Sequence, residues 1–260
     1  MKKIHLQVLV LAPIIFGYSY FLISNYLYGD QNSYRALYDA LSVVDFLDVP
    51  IIAERYITAS DWLSFYLLWP GARLGIDKDI YISFFNTIML LCLYVLARRH
   101  GVGYVMIALI MCNFYIIVLM TGAERLKFAF VFLFLAELVH SRKFKASFFL
   151  LSILSHLQSF ILLVAASLNN YKDLFLKLLR GSLRKKLVPS ILLALIFGAI
   201  LFYVKTEAIA QKFESYREGG ALTEGLQIAI FMAIGLIFIK NKLGFFICML
   251  ALMVGTIFIG

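Results

Sequence analysis

The stretch SFFLLSILSHLQSFILLVAAS, residues 147–167, carries no formal charge over 21 residues, yet holds His156 near its centre. A bilayer core about 30 Å thick calls for about 20 apolar residues of helix, so length alone makes this stretch a membrane span. The imidazole complicates that reading. Inside a bilayer it needs a hydrogen-bond partner on a neighbouring helix or a wet cavity, because its ring nitrogens are costly to bury unpaired.

The rest of the chain has the same character. Hydrophobic residues make up 63% of the 260, charged residues 15%, and the mean hydropathy is +0.91. Soluble domains carry about 25% charged residues, so the class is an all-α polytopic membrane protein. Apolar runs fall near 4–28, 62–75, 80–97, 102–121, 127–141, 146–167, 188–204, 223–239 and 244–259. Run 4–28 is too long for a signal-peptide core and lacks a cleavage site, so it reads as a retained first span. Run 62–75, WLSFYLLWPGARLG, has 14 residues with a Pro-Gly pair and Arg73. At 1.5 Å per residue it reaches only about 21 Å, and is read as re-entrant or interfacial. The expectation is one transmembrane helical domain, 1–260, with about seven full spans and two re-entrant or broken segments. The chain ends in TIFIG, inside an apolar run, and is expected either to continue beyond residue 260 or to end in the membrane.

Charge decides how run 146–167 is threaded. If it and 62–75 each enter and leave by one face, 15 of the 24 Lys and Arg fall on the side of Met1. They are Lys2, Lys3, Arg98, Arg99, Arg142, Lys143, Lys145, Lys240, Lys242 and the six between Lys172 and Lys186. The opposite side then holds 13 of the 15 acids, mostly in the outer loops 29–61 and 205–222. Making 146–167 a full span would put the six-charge segment 172–186 outside, against the positive-inside rule. Parity therefore predicts a cytoplasmic N-terminus and a helix broken near Ser155–His156. Eleven residues of helix from Lys145 climb about 16 Å. His156 is thus expected at or beyond mid-membrane, where irregular backbone survives only beside protein or a water-filled cavity.

The polar residues with chemical potential gather on the outer side. In GDQNSYRALYDAL, Asp30, Tyr34 and Tyr38 recur at four-residue steps and share one helix face. Asp30 reads as an N-cap, a catalytic carboxylate, or both. Tyr34, Arg35 and Tyr38 read equally as interfacial anchors. In MTGAERLKFAFVF, a turn at Gly122 precedes Glu124, Arg125 and Lys127 at the start of the next run. A helix N-terminus with an Arg suits phosphate; the competing reading is a snorkelling Arg with a local Glu partner. Glu137 is an acid within a span, read as paired with His140 or Arg142. Asp77-Lys78-Asp79 reads as a solvated turn. Cys92, Cys112 and Cys248 lie in apolar runs, with neither disulfide nor metal spacing. No phosphate-binding glycine loop or HExxH motif occurs, so no cofactor and no metal is called for. The net charge of +9 reflects membrane topology, and no nucleic-acid partner is implied. Outer-face chemistry without ATP needs a substrate that arrives activated, a condition lipid-linked pyrophosphate sugars meet.

The order GDQNSYRALY, SDWLSFYLLWPGARLGIDKDIYISFFNTI and TGAERLKFAFVFLFLAELVHSRKFKASFFLLSILSHLQSFILL resembles the EpsG-type branch of the Wzy polysaccharide polymerases. The resemblance covers residues 25–170. It rests on Asp30 with Tyr34, Leu74-Gly75, Arg125 after a glycine turn, and His156 with Ser159. The chain departs from the family in having ERLKFAF where Arg-Gln-Gly is common, and Asp61 where Glu is common. The resemblance implies a membrane glycosyltransferase of the bacterial inner membrane. It would join undecaprenyl-pyrophosphate-linked oligosaccharides at the periplasmic face, building O-antigen, capsule or exopolysaccharide, beside chain-length regulator and flippase proteins. Arg125, His156 and Asp30 would be catalytic, with Tyr34, Arg35, Lys127 and Ser159 binding substrate. A transporter or flippase of the same lipid, a membrane acyltransferase and a non-catalytic scaffold are the competing functions.

Overall fold

The computed structural model describes residues 2–57, 62–156 and Ser159. The chain divides into two compact units, Met1–Ser159 and Phe160–Gly260, and the description concerns the first. The expected cytoplasmic segment 172–186, the loop 205–222 and the last three apolar runs lie outside the described residues.

Every regular element among the described residues is helical. Two helices are long and apolar enough to cross a membrane: α1 (Lys2–Asn25), over Leu6–Asn25, and α5 (Lys78–Arg99). Between them lie α2 (Gln31–Leu41), a short 3-10 turn (Phe46–Asp48), α3 (Val49–Tyr56) and α4 (Trp62–Arg73). After α5 come α6 (Tyr104–Met111), α7 (Phe114–Thr121), α8 (Glu124–Leu138) and α9 (Arg142–Ser155). One face of α1 is exposed through Leu6, Leu9, Val10, Ile14 and Phe21. An apolar strip of that kind on the outside of the chain is what lipid covers.

Helix α1 packs antiparallel to α5. Near one end Tyr94 donates a hydrogen bond to Gln7 Oε1 (2.7 Å). Further along, Asn86 donates to Ser19 Oγ (2.8 Å) and to the Met120 carbonyl of α7 (3.0 Å). Ser19 and Asn86 are both fully buried, and small or amide side chains bonded between helices are a usual way to hold apolar helices together in lipid. Helix α8 runs parallel to α5, with Arg99 donating to the Leu138 carbonyl at one end (3.2 Å) and Lys78 meeting Glu124 at the other. Helix α9 returns antiparallel along α8, where Ser152 Oγ donates to the Ala129 carbonyl (2.9 Å).

Two helix breaks bear on the sequence expectation, and only the first departs from it. Run 102–121, expected as one span, is two helices bent by 51° at Cys112–Asn113. The cause is local: Asn113 caps α7 by accepting from the Tyr115 N–H (2.9 Å), a bond that competes with continuing helix. The first part of run 146–167 belongs to α9, which ends at Ser155, and His156 is extended (φ −161°, ψ 121°). That end falls where charge parity calls for a break.

Run 62–75 forms only α4, 12 residues long. Gly75 closes it in the left-handed region (φ 68°), with Gly75 N–H donating to the Ala72 carbonyl and Ile76 N–H to the Gly71 carbonyl (both 3.0 Å). This is the glycine-terminated helix end that any residue with a Cβ would strain. Gly71 has a different role. A Cβ there would collide with the Tyr38 hydroxyl and the Tyr81 ring, so glycine lets α4 approach α2 and α5. Asp77 then caps α5, accepting from the Asp79 and Ile80 N–H groups (2.9 and 3.1 Å). The short Asp77-Lys78-Asp79 segment is therefore a helix start, with Lys78 and Asp79 buried, in place of the expected solvated turn.

Candidate functional site

The first residues of three helices meet at one end of the unit. Gln31, Lys78 and Glu124 each open a helix, α2, α5 and α8 respectively. Glu124 Oε1 accepts from Lys78 Nζ (2.9 Å) and Gln31 Nε2 (3.0 Å), while Oε2 accepts from Lys127 Nζ (2.8 Å). Gln31 completes the network, accepting from Lys78 (2.8 Å) and donating to the Thr121 carbonyl. All four side chains are buried. Burial raises the Glu124 carboxyl pKa, but the ammonium groups of Lys127 and Lys78 outweigh it and hold the value at about 2. An ionised carboxylate between two cations at the positive end of a helix is the form such a site favours.

Next to this lock lies a second cluster. Arg125 Nε donates to the Tyr34 hydroxyl (3.0 Å). Tyr34 is buried, and burial pushes its phenol up to about 12, opposed by Arg125 and aided by the charges of Glu124 and Asp30. Asp30 occupies the N-cap position of α2 but makes no side-chain capping bond, and it is exposed. The capping role allowed by the sequence is absent, and the carboxylate faces outward one helical turn from Tyr34. Arg35, on the adjoining edge of α2, reaches Asp79 through both Nη1 and Nη2, each 3.0 Å from Oδ2.

His156 comes to the same end along the α8–α9 hairpin. The Ser152–Ala129 bond sets the register, and four residues of helix from each partner, about 6 Å, lead to His156 and Arg125. Ser64 Oγ of α4 donates to the Ser155 carbonyl, tying this helix end to α4. The His156 carbonyl accepts from the Ser159 N–H and hydroxyl (3.0 and 2.8 Å). Ser159, expected to bind substrate, has its hydroxyl committed to that turn. Lys127, also expected to bind substrate, is fully buried on Glu124. Glu137 pairs with Lys145 (3.1 Å), and not with the expected His140 or Arg142.

The structure therefore brings Asp30, Tyr34, Arg35, Arg125 and His156 to one end, with Arg98, Arg99, Arg142, Lys143 and Lys145 at the other. Sequence reasoning missed Gln31, Lys78 and Asp79. For Lys78 and Asp79 the charge triplet Asp77-Lys78-Asp79 marked a helix start, but nothing local showed that the start is covered; Gln31 carried no such mark. Beside α2 a cavity of about 370 Å³ opens between Arg35, Tyr38, Asp39, Ser42, Ile76 and Asp77.

The regular elements of the described residues are thus all helical, with two helices long and apolar enough to cross a membrane and a polar cluster at one end of the unit. Comparison of the chain with family models, curated proteins and solved structures finds no match.

Proposed function

We propose that this protein is a polymerase of undecaprenyl-pyrophosphate-linked oligosaccharide repeats, acting at the periplasmic face of the bacterial inner membrane. In the full reading the chain has about seven spans, a cytoplasmic N-terminus and two re-entrant or broken segments, 62–75 and 146–167. The observation that carries the proposal is Arg125. It stands at the start of α8, held by Tyr34 beside the exposed Asp30, at the end opposite the basic cluster.

In this reading a hydroxyl of the acceptor repeat attacks the anomeric carbon of the donor glycan. The new glycosidic C–O bond forms as the bond from that carbon to the pyrophosphate oxygen breaks. Asp30 or His156 takes the hydroxyl proton. Arg125, aided by the positive end of the α8 helix dipole, stabilises the departing undecaprenyl pyrophosphate. A planar guanidinium fits two phosphate oxygens at once, which an ammonium cannot do.

The test is the glycan made by cells carrying Arg125→Ala in place of the native protein. Removing one preorganised cation from a leaving-group site costs roughly 100- to 1,000-fold in rate. Single repeats without a long ladder are expected, with normal protein in the membrane and a partial ladder from Arg125→Lys. A full ladder from Arg125→Ala would remove the assigned role.

A further inference from the structure

The cavity beside α2 is lined by groups unlike those around Arg125. Its cations are already neutralised: Arg35 is bonded to Asp79, and Lys78 to Glu124 and Gln31. Its carboxylates are not. Among the described residues Asp39 has no side-chain partner, and Asp77 uses only Oδ1, on the Asp79 and Ile80 N–H groups. Tyr38 donates its hydroxyl proton to the Ile76 carbonyl (3.0 Å) and presents an oxygen lone pair. The open valences are therefore mostly acceptors. Acceptors bind O–H and N–H donors and repel phosphate, so this is not a second pyrophosphate site.

Size and position narrow the ligand further. About 370 Å³ lies near the lower end of the roughly 300–1,000 Å³ typical of small-molecule sites, enough for a short saccharide. Tyr34, which holds Arg125, and Tyr38, which lines the cavity, are one turn apart on α2, about 6 Å along the helix. A sugar joined to a pyrophosphate at Arg125 begins at about that distance.

We propose that the cavity bounded by Arg35, Tyr38, Asp39, Ser42 and Asp77 is a saccharide subsite that binds the hydroxyl groups of the glycan carried by the lipid. This rests on the polymerase reading for its ligand but not for its chemistry, and the two are separable by experiment. Wild-type protein in lipid nanodiscs is presented with undecaprenyl pyrophosphate, with the expressing bacterium's own lipid-linked repeat, and with the free oligosaccharide hydrolysed from that repeat. Two variants accompany it. Asp39→Asn/Asp77→Asn removes both charges while Asn at 77 keeps the helix cap, and Ser42→Trp fills the cavity from its rim.

The wild type is expected to bind the glycosylated lipid about tenfold or more above the bare carrier, the scale of one charge-assisted hydrogen bond. Both variants should lose that preference while binding the bare carrier unchanged. Equal binding of the two lipids by wild type, or a preference that survives in both variants, overturns the subsite. Binding of free oligosaccharide, lost in Ser42→Trp, without binding of either lipid would uphold the subsite and overturn the polymerase reading. Binding of none of the three probes overturns both. If the double variant also loses the bare carrier, its fold has suffered, and Ser42→Trp decides.

Discussion

The two ends of α8 carry the same chemical pair in opposite circumstances. At its start Glu124 and Lys127 are wholly buried and bonded to each other, and Glu124 also accepts from Lys78 and Gln31. Near its end Glu137 pairs with Lys145, with side chains 49% and 39% exposed. What separates them is what surrounds the charges. Three helix starts converge on Glu124 and exclude water, so each of its bonds must hold or leave a charge stranded. Glu137 and Lys145 remain hydrated whether or not they meet. The comparison also separates neighbours at the first end. Glu124 is spent on holding α2, α5 and α8 together, whereas Arg125, one residue on, is directed to Tyr34.

The largest expected effect follows from breaking the buried pair. Glu124→Ala would leave the ammonium groups of Lys78 and Lys127 buried without a counter-charge, at a cost of about 3–5 kcal/mol. The protein should fail to accumulate in the membrane, or melt far below wild type once purified, as read by detergent-solubilised yield and thermal unfolding. A normally stable Glu124→Ala protein would mean that water reaches this site.

Next in size is a functional contrast between histidines at the two ends. His156 lies level with Arg125, whereas His100 and His140 lie at the basic end, after α5 and α8. Gln keeps a neutral donor and acceptor but does not titrate near neutral pH. His156→Gln should insert normally and lower polymer formation about 100-fold, the lower range for loss of a proton-transfer group. His100→Gln and His140→Gln should keep a wild-type ladder. Full polymer length from His156→Gln would assign that histidine to structure and move the base to Asp30.

These contrasts were legible in the sequence to different degrees. The long helices α1 and α5 follow from unbroken apolar length, and the end of α4 from Leu74-Gly75, because a left-handed helix end favours glycine. Arg125 and Asp30 were visible as polar residues at predicted helix starts. The lock was not. Lys78 and Glu124 are 46 residues apart and Gln31 is further still, so no local pattern tells a solvated triplet from a buried one. The 51° break in run 102–121 was hidden for the converse reason. Asn113 is a one-residue capping signal within an otherwise unbroken apolar run, and hydropathy averaged over a span dilutes it.

A smaller effect concerns pH. The folded Glu124 carboxyl titrates near 2, below its ordinary 4.5. A carboxyl depressed on folding contributes its full stability above the unfolded value and loses it as pH falls through the folded one. The lock should therefore hold at pH 5 and weaken progressively between about 4.5 and about 2. Thermal unfolding from pH 6 down to pH 3 should show this loss in wild type. Glu124→Gln, whose amide keeps the shape of the carboxylate without its charge, should lack that part of the pH dependence even though it is less stable throughout. An equal decline in both proteins would place the acid sensitivity in other carboxylates.

The smallest effect is expected at the far end of α8. Lys145→Ala removes the partner of Glu137, but both groups are well exposed, so the carboxylate left behind is solvated instead of stranded. Exposed pairs of this kind contribute less than about 1 kcal/mol, and salt screens them. Lys145 also approaches the Phe149 ring (5.4 Å), a contact whose worth at an exposed site is about 0.5–1 kcal/mol. Glu137→Gln deletes the ion pair and leaves that contact, so the two variants together divide the small loss between charge and ring. Both proteins should melt within a few degrees of wild type. A Glu137→Gln loss as large as that of Glu124→Ala would mean the basic end excludes water as the first end does, and the contrast between the two ends of α8 would then have to come from their partners and not from solvent.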